Sequence, residues 1–420
     1  MNTSPTPPSA AGDPPEAQAA PPTPRSPRPR VVVIGGGIVG LAVARELQAR
    51  GSHVTVCEKE DHWAAHQTGH NSQVAHSGAY YAPGSHKALL AVAGNRSIVA
   101  YARSRGVAVD VCGKLIVATT PAELPGLQTL AARAAANGVP ARLIGPPQAR
   151  EFEPHVSCLQ ALHIESTAAV DFPGVCARIV DELTQGGADL RLAAPALDIR
   201  HRGSGVEVAT PHGTVRADRL VNCAGLHADR IATMAGLRPP VQIVPFRGEY
   251  YQLRPAAQHL VRGLIYPVPD PTLPFLGVHL TRMLDGTVHA GPNAVLALGR
   301  EGYRWRDVCI RDLASAARYP GLWRLAKRYP HTAVSEVARS LSQRRFARSL
   351  ARLVPAIGAG DVVRAGSGVR AQALRPDGTL VDDFLLVRAR NQVHVLNAPS
   401  PAATAALDIG RRLADQVLEN

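Results

Sequence analysis

Lysine is scarce in this 420-residue chain: only Lys59, Lys87, Lys114 and Lys327 stand among 46 basic residues, and the rest are Arg. Aromatic residues make up 4%. The six cysteines (Cys57, Cys112, Cys158, Cys176, Cys223, Cys309) include no C-x-x-C pair and no zinc-like spacing, which excludes a disulfide framework or zinc ribbon and fits a reducing cytoplasm. No apolar run is long enough for a bilayer. The longest, Val31 to Ala44, is broken by four glycines and falls short of the ~20 residues a spanning helix needs. A secretory signal is not expected either. Residues 1–30 hold ten prolines and no apolar periodicity, with Arg25, Arg28 and Arg30 at their end, so they read as a disordered leader.

Acidic residues are also in deficit, 33 against 46, for a net charge of +13. The positive charge is spread along the chain with few interleaved aromatics, unlike a nucleic-acid stacking surface. No nucleic-acid partner is expected, and attraction of acidic small molecules is the better reading.

From Val31 the sequence reads VVVIGGGIVGLAVARELQARGSHVTVCEKE: a β-branched run, a glycine turn, an amphipathic helix and a second strand. This is a βαβ unit. Its glycines fall as Gly35-x-Gly37-x-x-Gly40, with Glu58 eighteen residues on. Gly35 permits the tight turn, Gly37 lets a pyrophosphate approach the backbone, and Gly40 lets helix and strand pack closely. Glu58 then accepts hydrogen bonds from a ribose. The unit binds a dinucleotide, and the segments beyond it favour FAD over NAD. The loop Gln67 to Gly84 is polar and aromatic and offers Thr68, Asn71 and Ser72 as cofactor contacts. A later strand exits through Ala224 and Gly225. Near the C-terminus the loop Ser400, Pro401, Ala402 and Ala403 precedes a helix expected to start near Ala402, whose free N–H groups would stabilise charge on a reduced flavin.

Cys112 to Thr119 and Val241 to Asn293 read as strands with turns, and Arg304 to Ala356 as mainly helical. The expected fold is α/β, a Rossmann-like FAD-binding domain with an inserted β-rich α+β substrate domain. Residues 31–95, 150–240 and 360–420 are assigned to the cofactor domain, and 96–149 and 241–359 to the substrate domain.

Several segments resemble a known family: IGGGIVGLAVARELQ, HQTGHNSQVAHSGAYYAPGS, PFRGEYYQL, IYPVPDPTLPFLGVHLTRMLDG, GPNAVLALGREGYRWRD, GVRAQAL and NAPSPAATAALDIG. They are similar to L-2-hydroxyglutarate oxidases or dehydrogenases of the FAD-dependent D-amino-acid-oxidase-like superfamily, over about Val31 to Asp415. The resemblance implies one FAD per chain, oxidation of an L-2-hydroxy dicarboxylate to 2-oxoglutarate, and re-oxidation by oxygen or a membrane quinone. It also implies that His76 lies over the flavin ring. Gln73 stands where the family has Gly, and His86 departs from its P-G-S-L-K-A pattern. Glycerol 3-phosphate, glycine or sarcosine are the alternative substrates, and a non-catalytic RNA-associated flavoprotein is the alternative class.

Oxidation of a secondary alcohol requires a base for the hydroxyl proton, and His76 is the catalytic candidate; the alternative is a structural histidine within its loop. A dicarboxylate calls for cationic partners, for which Arg247 and Arg370 are chosen, each set against the plainer reading of an internal salt bridge. Lys87, Tyr81, Tyr251, Tyr266 and His279 are further substrate-binding candidates. His62, His66 and His70 are spaced by four, but Gly69 weakens a helix there and Gln67 holds the carboxylate position of H-E-x-x-H, so no metal is expected. Arg339 to Arg352 reads as an amphipathic helix with Leu341, Phe346, Leu350 and Leu353 near one side. Its plain reading is a solvated basic face over a core stripe, its functional one a peripheral contact on the cytoplasmic face of a membrane.

Overall fold

Val31 to Val33 are inaccessible to solvent, as a strand in the middle of a parallel sheet covered on both faces requires. The computed structural model describes Met1, Thr3 and residues 28–270 and 277–419, without the side chains of 331–335 and 341. Almost all of the leader expected over residues 1–30 lies outside the described residues. Strand Arg30–Ile34 pairs in parallel with His53–Cys57 on one side and Arg219–Asn222 on the other. The sheet has six strands, extended by Asp189–Arg191 beyond the second strand and by Gln392–Asn397 and Leu385–Ala389 at the opposite edge. Only Leu385–Ala389 runs antiparallel to its neighbour. Helices Ile38–Ala49, Phe172–Gln185 and Ala406–Leu418 cover one face with Leu41, Leu47, Ile179 and Leu413. An antiparallel three-stranded sheet (Asp198–Arg202, Gly205–Thr210, Gly213–Ala217) covers the other with Val206, Val208 and Val215 against Val32 and Ile34.

A second sheet of nine strands is built on the long antiparallel pair Gln242–Leu253 and Val362–Leu374. It also takes in Lys114–Ala118, Ala141–Ile144, Gln160–Ile164 and Leu264–Pro267. The strand pairing departs from the expected segmentation at two places. Gln160–Ile164 and Val362–Leu374 pair within this sheet, although residues 150–240 and 360–420 were assigned to the cofactor domain. Alternation in Lys114–Ala118 sends Leu115 and Val117 to one face and Ile116 and Ala118 to the other.

The helical region divides into Ile310–Ala317, Pro320–Arg328, Pro330–Leu341 and Gln343–Ala351. Instead of one helix across Arg339 to Arg352, the chain breaks at Ser342, whose hydroxyl caps the last helix by accepting from the Arg345 N–H at 3.4 Å. Phe346 and Leu350 are fully buried, with Leu353 nearly so. They pack under the second sheet, where the Phe346 ring meets Tyr251 at 4.2 Å. The apolar side of this helix therefore belongs to the core and is not open to a membrane. No helix among the described residues is long and apolar enough to cross one. Phe346→Ala is expected to cost roughly 3–5 kcal/mol, read as a lower urea midpoint; an unchanged midpoint would place this helix outside the core.

Candidate active site

The glycine turn follows the first strand. Gly35 has φ +112°, and a Cβ there would stand 2.4 Å from the Cys223 carbonyl oxygen; at Gly40 it would stand 2.0 Å from the Gly35 carbonyl oxygen. The packing of the turn itself thus demands these two glycines. Gly40 does not line the cavity. Gly37 is different: an added Cβ would meet only the Thr68 hydroxyl, at 3.3 Å, because its open side faces a cavity of about 1700 Å³. Thr68 caps the helix by accepting from the Ile38 N–H at 3.1 Å. Glu58, buried at the end of the second strand, accepts from Gly36 N–H at 2.6 Å and Glu60 N–H at 2.9 Å. Its carboxylate is held at the cavity wall with lone pairs that a ribose hydroxyl can use. Open backbone at a helix start, an acid at the next strand end and room beyond fit an FAD adenosine diphosphate.

The loop after the second strand forms one wall. Asn71 and Ser72 line the cavity, though the Asn71 amide is spent on the loop itself, donating to the Thr68 carbonyl at 2.6 Å and accepting from Gln73 N–H at 2.7 Å. Gln73 takes φ +59° despite its side chain. That conformation is unfavourable outside glycine, and it is held from several sides. Besides the Asn71 contact, Val170 N–H donates to its carbonyl at 2.7 Å and Leu284 N–H to its Oε1 at 3.1 Å. The path a glycine would take freely is kept by hydrogen bonds.

Ala224 and Gly225 line the cavity where strand Arg219–Asn222 ends, and Ser400, Pro401, Ala402 and Ala403 line it from the C-terminal side. Residues 400–405 form turns, and the last helix begins at Ala406 instead of near Ala402. Thr404 joins the two walls, accepting from the His76 N–H at 3.0 Å.

His76, Tyr81, Lys87, Tyr266, His279 and Arg370 all border the same cavity. Burial pushes the His76 imidazole down to about 3, helped by the neighbouring basic groups Lys114, His279 and Arg370. His279 is likewise pushed down to about 3, chiefly by burial; its Nδ1 hydrogen-bonds the Gly277 carbonyl at 3.0 Å and its ring stacks on Tyr266 at 3.9 Å. Both rings are neutral at pH 7, and the Gly277 bond assigns the His279 proton to Nδ1. Lys87 pairs with the exposed Asp382 carboxylate at 2.7 Å and lies over the Tyr81 ring.

Arg247 and Tyr251 do not line the cavity. Arg247 is fully buried, bonded to Glu249 at 3.0 Å and stacked on Trp305, while Tyr251 packs on Phe346. Both miss for one reason. Side chains alternate along a strand, and here Gly248 and Tyr250 face the cavity. Tyr250, Tyr80 and, one layer behind, Lys114 were not singled out from the sequence. Parity in GEYYQL could have found Tyr250, and a charge heading the apolar strand KLIVA could have found Lys114.

Near the glycine turn, Lys59 joins Glu60, Glu301 (2.6 Å) and His66 (3.0 Å). The Glu60, His66 and Glu301 donors all lie within 4.8 Å of one another, and the Lys59 ammonium supplies a positive charge among them. The hydrogen bond from His227 and the Lys59 charge hold Glu301 down to about 2.

Residues 30–416 match the family model for FAD dependent oxidoreductases. The L-2-hydroxyglutarate dehydrogenase of Indibacter alkaliphilus is 40% identical over 93% of this chain and 99% of that protein, and that of Escherichia coli K12 41% identical over 92% of each. The human mitochondrial L-2-hydroxyglutarate dehydrogenase is 40% identical over 92% of this chain and 88% of its own. Among solved structures, FAD-bound L-α-glycerophosphate oxidase from Mycoplasma pneumoniae superposes with a TM-score of 0.76 at 21% identity, covering 94% of this chain and 96% of that one. Glycine oxidase from Geobacillus kaustophilus gives 0.70 at 20%, covering 93% and 95%. Gly37→Val, whose added side chain meets only the Thr68 hydroxyl and otherwise projects into the cavity, is expected to leave the protein folded but purified without its yellow flavin; normal FAD content would place the diphosphate elsewhere.

Proposed function

The chain belongs to the FAD dependent oxidoreductase family, and from that premise we propose that it oxidises L-2-hydroxyglutarate to 2-oxoglutarate. The observation that carries the reading is the grouping of two neutral histidines and Arg370 on the cavity that the glycine turn opens into. Relatives bearing that activity in their names match nearly end to end. The glycerophosphate and glycine oxidase likenesses, at 21% and 20% identity, carry the fold alone and do not favour those substrates. Nor does any feature favour an RNA-associated role.

FAD held in that cavity would supply the hydride acceptor for the substrate α-carbon. The chain supplies the rest. His76, neutral at pH 7, takes the 2-hydroxyl proton on its free ring nitrogen, and its backbone N–H bond to Thr404 holds it against the C-terminal loop. Arg370 binds a substrate carboxylate, and His279, with its proton fixed on Nδ1, offers Nε2 to a hydroxyl. The rings of Tyr80, Tyr250 and Tyr266 wall this end of the cavity against water. With Arg247 spent on Glu249, the second carboxylate needs another cation. Lys87 and Tyr81 line the cavity, but Lys87 is already paired with Asp382 and the Tyr81 hydroxyl is neutral and supplies only a hydrogen bond.

Oxygen or a quinone takes the electrons onward. We place the protein in the cytoplasm, in keeping with six cysteines that are all unpaired. For a quinone, the membrane-facing surface is not the Gln343–Ala351 helix.

His76→Gln is expected to keep the flavin spectrum and slow flavin reduction by ~100-fold or more in anaerobic stopped flow; a wild-type rate would remove His76 from the chemistry. Arg370→Met is expected to raise KM for L-2-hydroxyglutarate by roughly 10–100-fold, the worth of one charge-assisted contact. An unaltered KM would free Arg370 of that role.

A further inference from the structure

Lys114 is, like Arg247, a fully buried cation of the second sheet. It is 1% exposed, and its Nζ has no hydrogen-bond partner among the described residues. It heads strand Lys114–Ala118 on the face shared with Ile116 and Ala118, and lies over the rings of Tyr80 at 4.5 Å and Tyr266 at 4.8 Å. Those two tyrosines border the cavity together with His76 and His279. A buried ammonium without an anion is costly, and ring faces offset only part of that cost. The groups around it offer no compensation. His163 lies on the neighbouring strand Gln160–Ile164, the Cys112 thiol precedes Lys114, and the hydroxyls of Tyr80 and Tyr266 are protonated. His76, His279 and Arg370 beyond them are neutral or positive. No carboxylate among the described residues bonds the Lys114 Nζ, and an anion that enters the cavity would supply the missing countercharge.

We infer that Lys114 is the proton-coupled receptor for the second negative charge of the substrate: when a dicarboxylate enters, Lys114 takes a proton from solvent and balances it from behind the tyrosine pair. No bond other than that N–H is made, and Lys114 acts as a positioning residue through Tyr80 and Tyr266. This rests on the dicarboxylate reading of the site. Burial holds the Lys114 ammonium down to about 7 in the ligand-free protein, and an anion in front of it raises that value. Below pH 7 the proton is already in place. Between about pH 7.5 and 9 binding must import it, so affinity falls as pH rises, by up to about tenfold per unit. His76 and His279, held near 3, stay neutral across that range.

The test is calorimetric titration of oxidised holoenzyme with 2-oxoglutarate at about pH 8, in buffers of different ionisation enthalpy. Uptake of up to about one proton per site is expected. Lys114→Arg should bind without uptake, and Lys114→Met should bind about tenfold or more weakly, also without uptake. Binding heats that are the same in every buffer for the wild type, or uptake that persists in Lys114→Met, overturn the inference; so does a failure to bind 2-oxoglutarate. Anaerobic bleaching by L-2-hydroxyglutarate in the same preparation tests the substrate separately. Uptake without bleaching would count for Lys114 and against that substrate.

Discussion

The approach of Gly40 to the Gly35 carbonyl is the contact on which the rest of the architecture turns. With any side chain at Gly40 the first helix could not sit so close to the first strand, since a Cβ there would lie 2.0 Å from that oxygen. Because the helix starts so near the strand end, the backbone at Gly37 opens onto the cavity, and the neighbouring strand brings Ala224 and Gly225 to the same wall. Glu58 is fixed beside them by two backbone amides. One steric requirement therefore brings the open backbone at Gly37, the Glu58 carboxylate and the cavity together.

The opposite end of the chamber obeys a different constraint, that of uncompensated positive charge. Arg247 is neutralised by Glu249 and Arg300 by Asp229, so these cations hold the fold together and attract nothing. Lys114 has no such partner, and burial acts on it and on His76 and His279 in the same direction, against added protons. Such a chamber is a poor place for an added cation, and its two imidazoles stay neutral at pH 7. The scaffold, the same as in oxidases of glycerophosphate and glycine, is indifferent to substrate. On the proposed reading, selection falls to these few groups.

How much could be read in advance depends on how local each signal is. The βαβ unit spells out its turn, helix and acid within thirty residues, so the fold, the tight turn at Gly35 and the close packing at Gly40 were legible. The loop to His76 was legible as a segment. Its conformation was not, because the positive φ of Gln73 is held by Val170 and Leu284, residues far away in sequence. Arg247 and Tyr251 were taken for pocket residues because composition draws attention to an Arg and a Tyr, whereas the direction of a side chain on a strand is a matter of parity, and the opposite parity carries Gly248 and Tyr250. Lys114 escaped notice since nothing beside it in sequence reveals that Tyr80 and Tyr266 converge on it. The last helix begins four residues later than expected because residues 400–405 are used as turns along the cavity wall.

The most direct measurement is an anaerobic titration of the purified wild-type protein with each enantiomer of 2-hydroxyglutarate while the flavin absorbance is followed. The expected result is a yellow protein bleached stoichiometrically by the L enantiomer and left oxidised by the D enantiomer. A protein that carries no flavin, or whose flavin stays oxidised in excess L-2-hydroxyglutarate, would contradict the assignment.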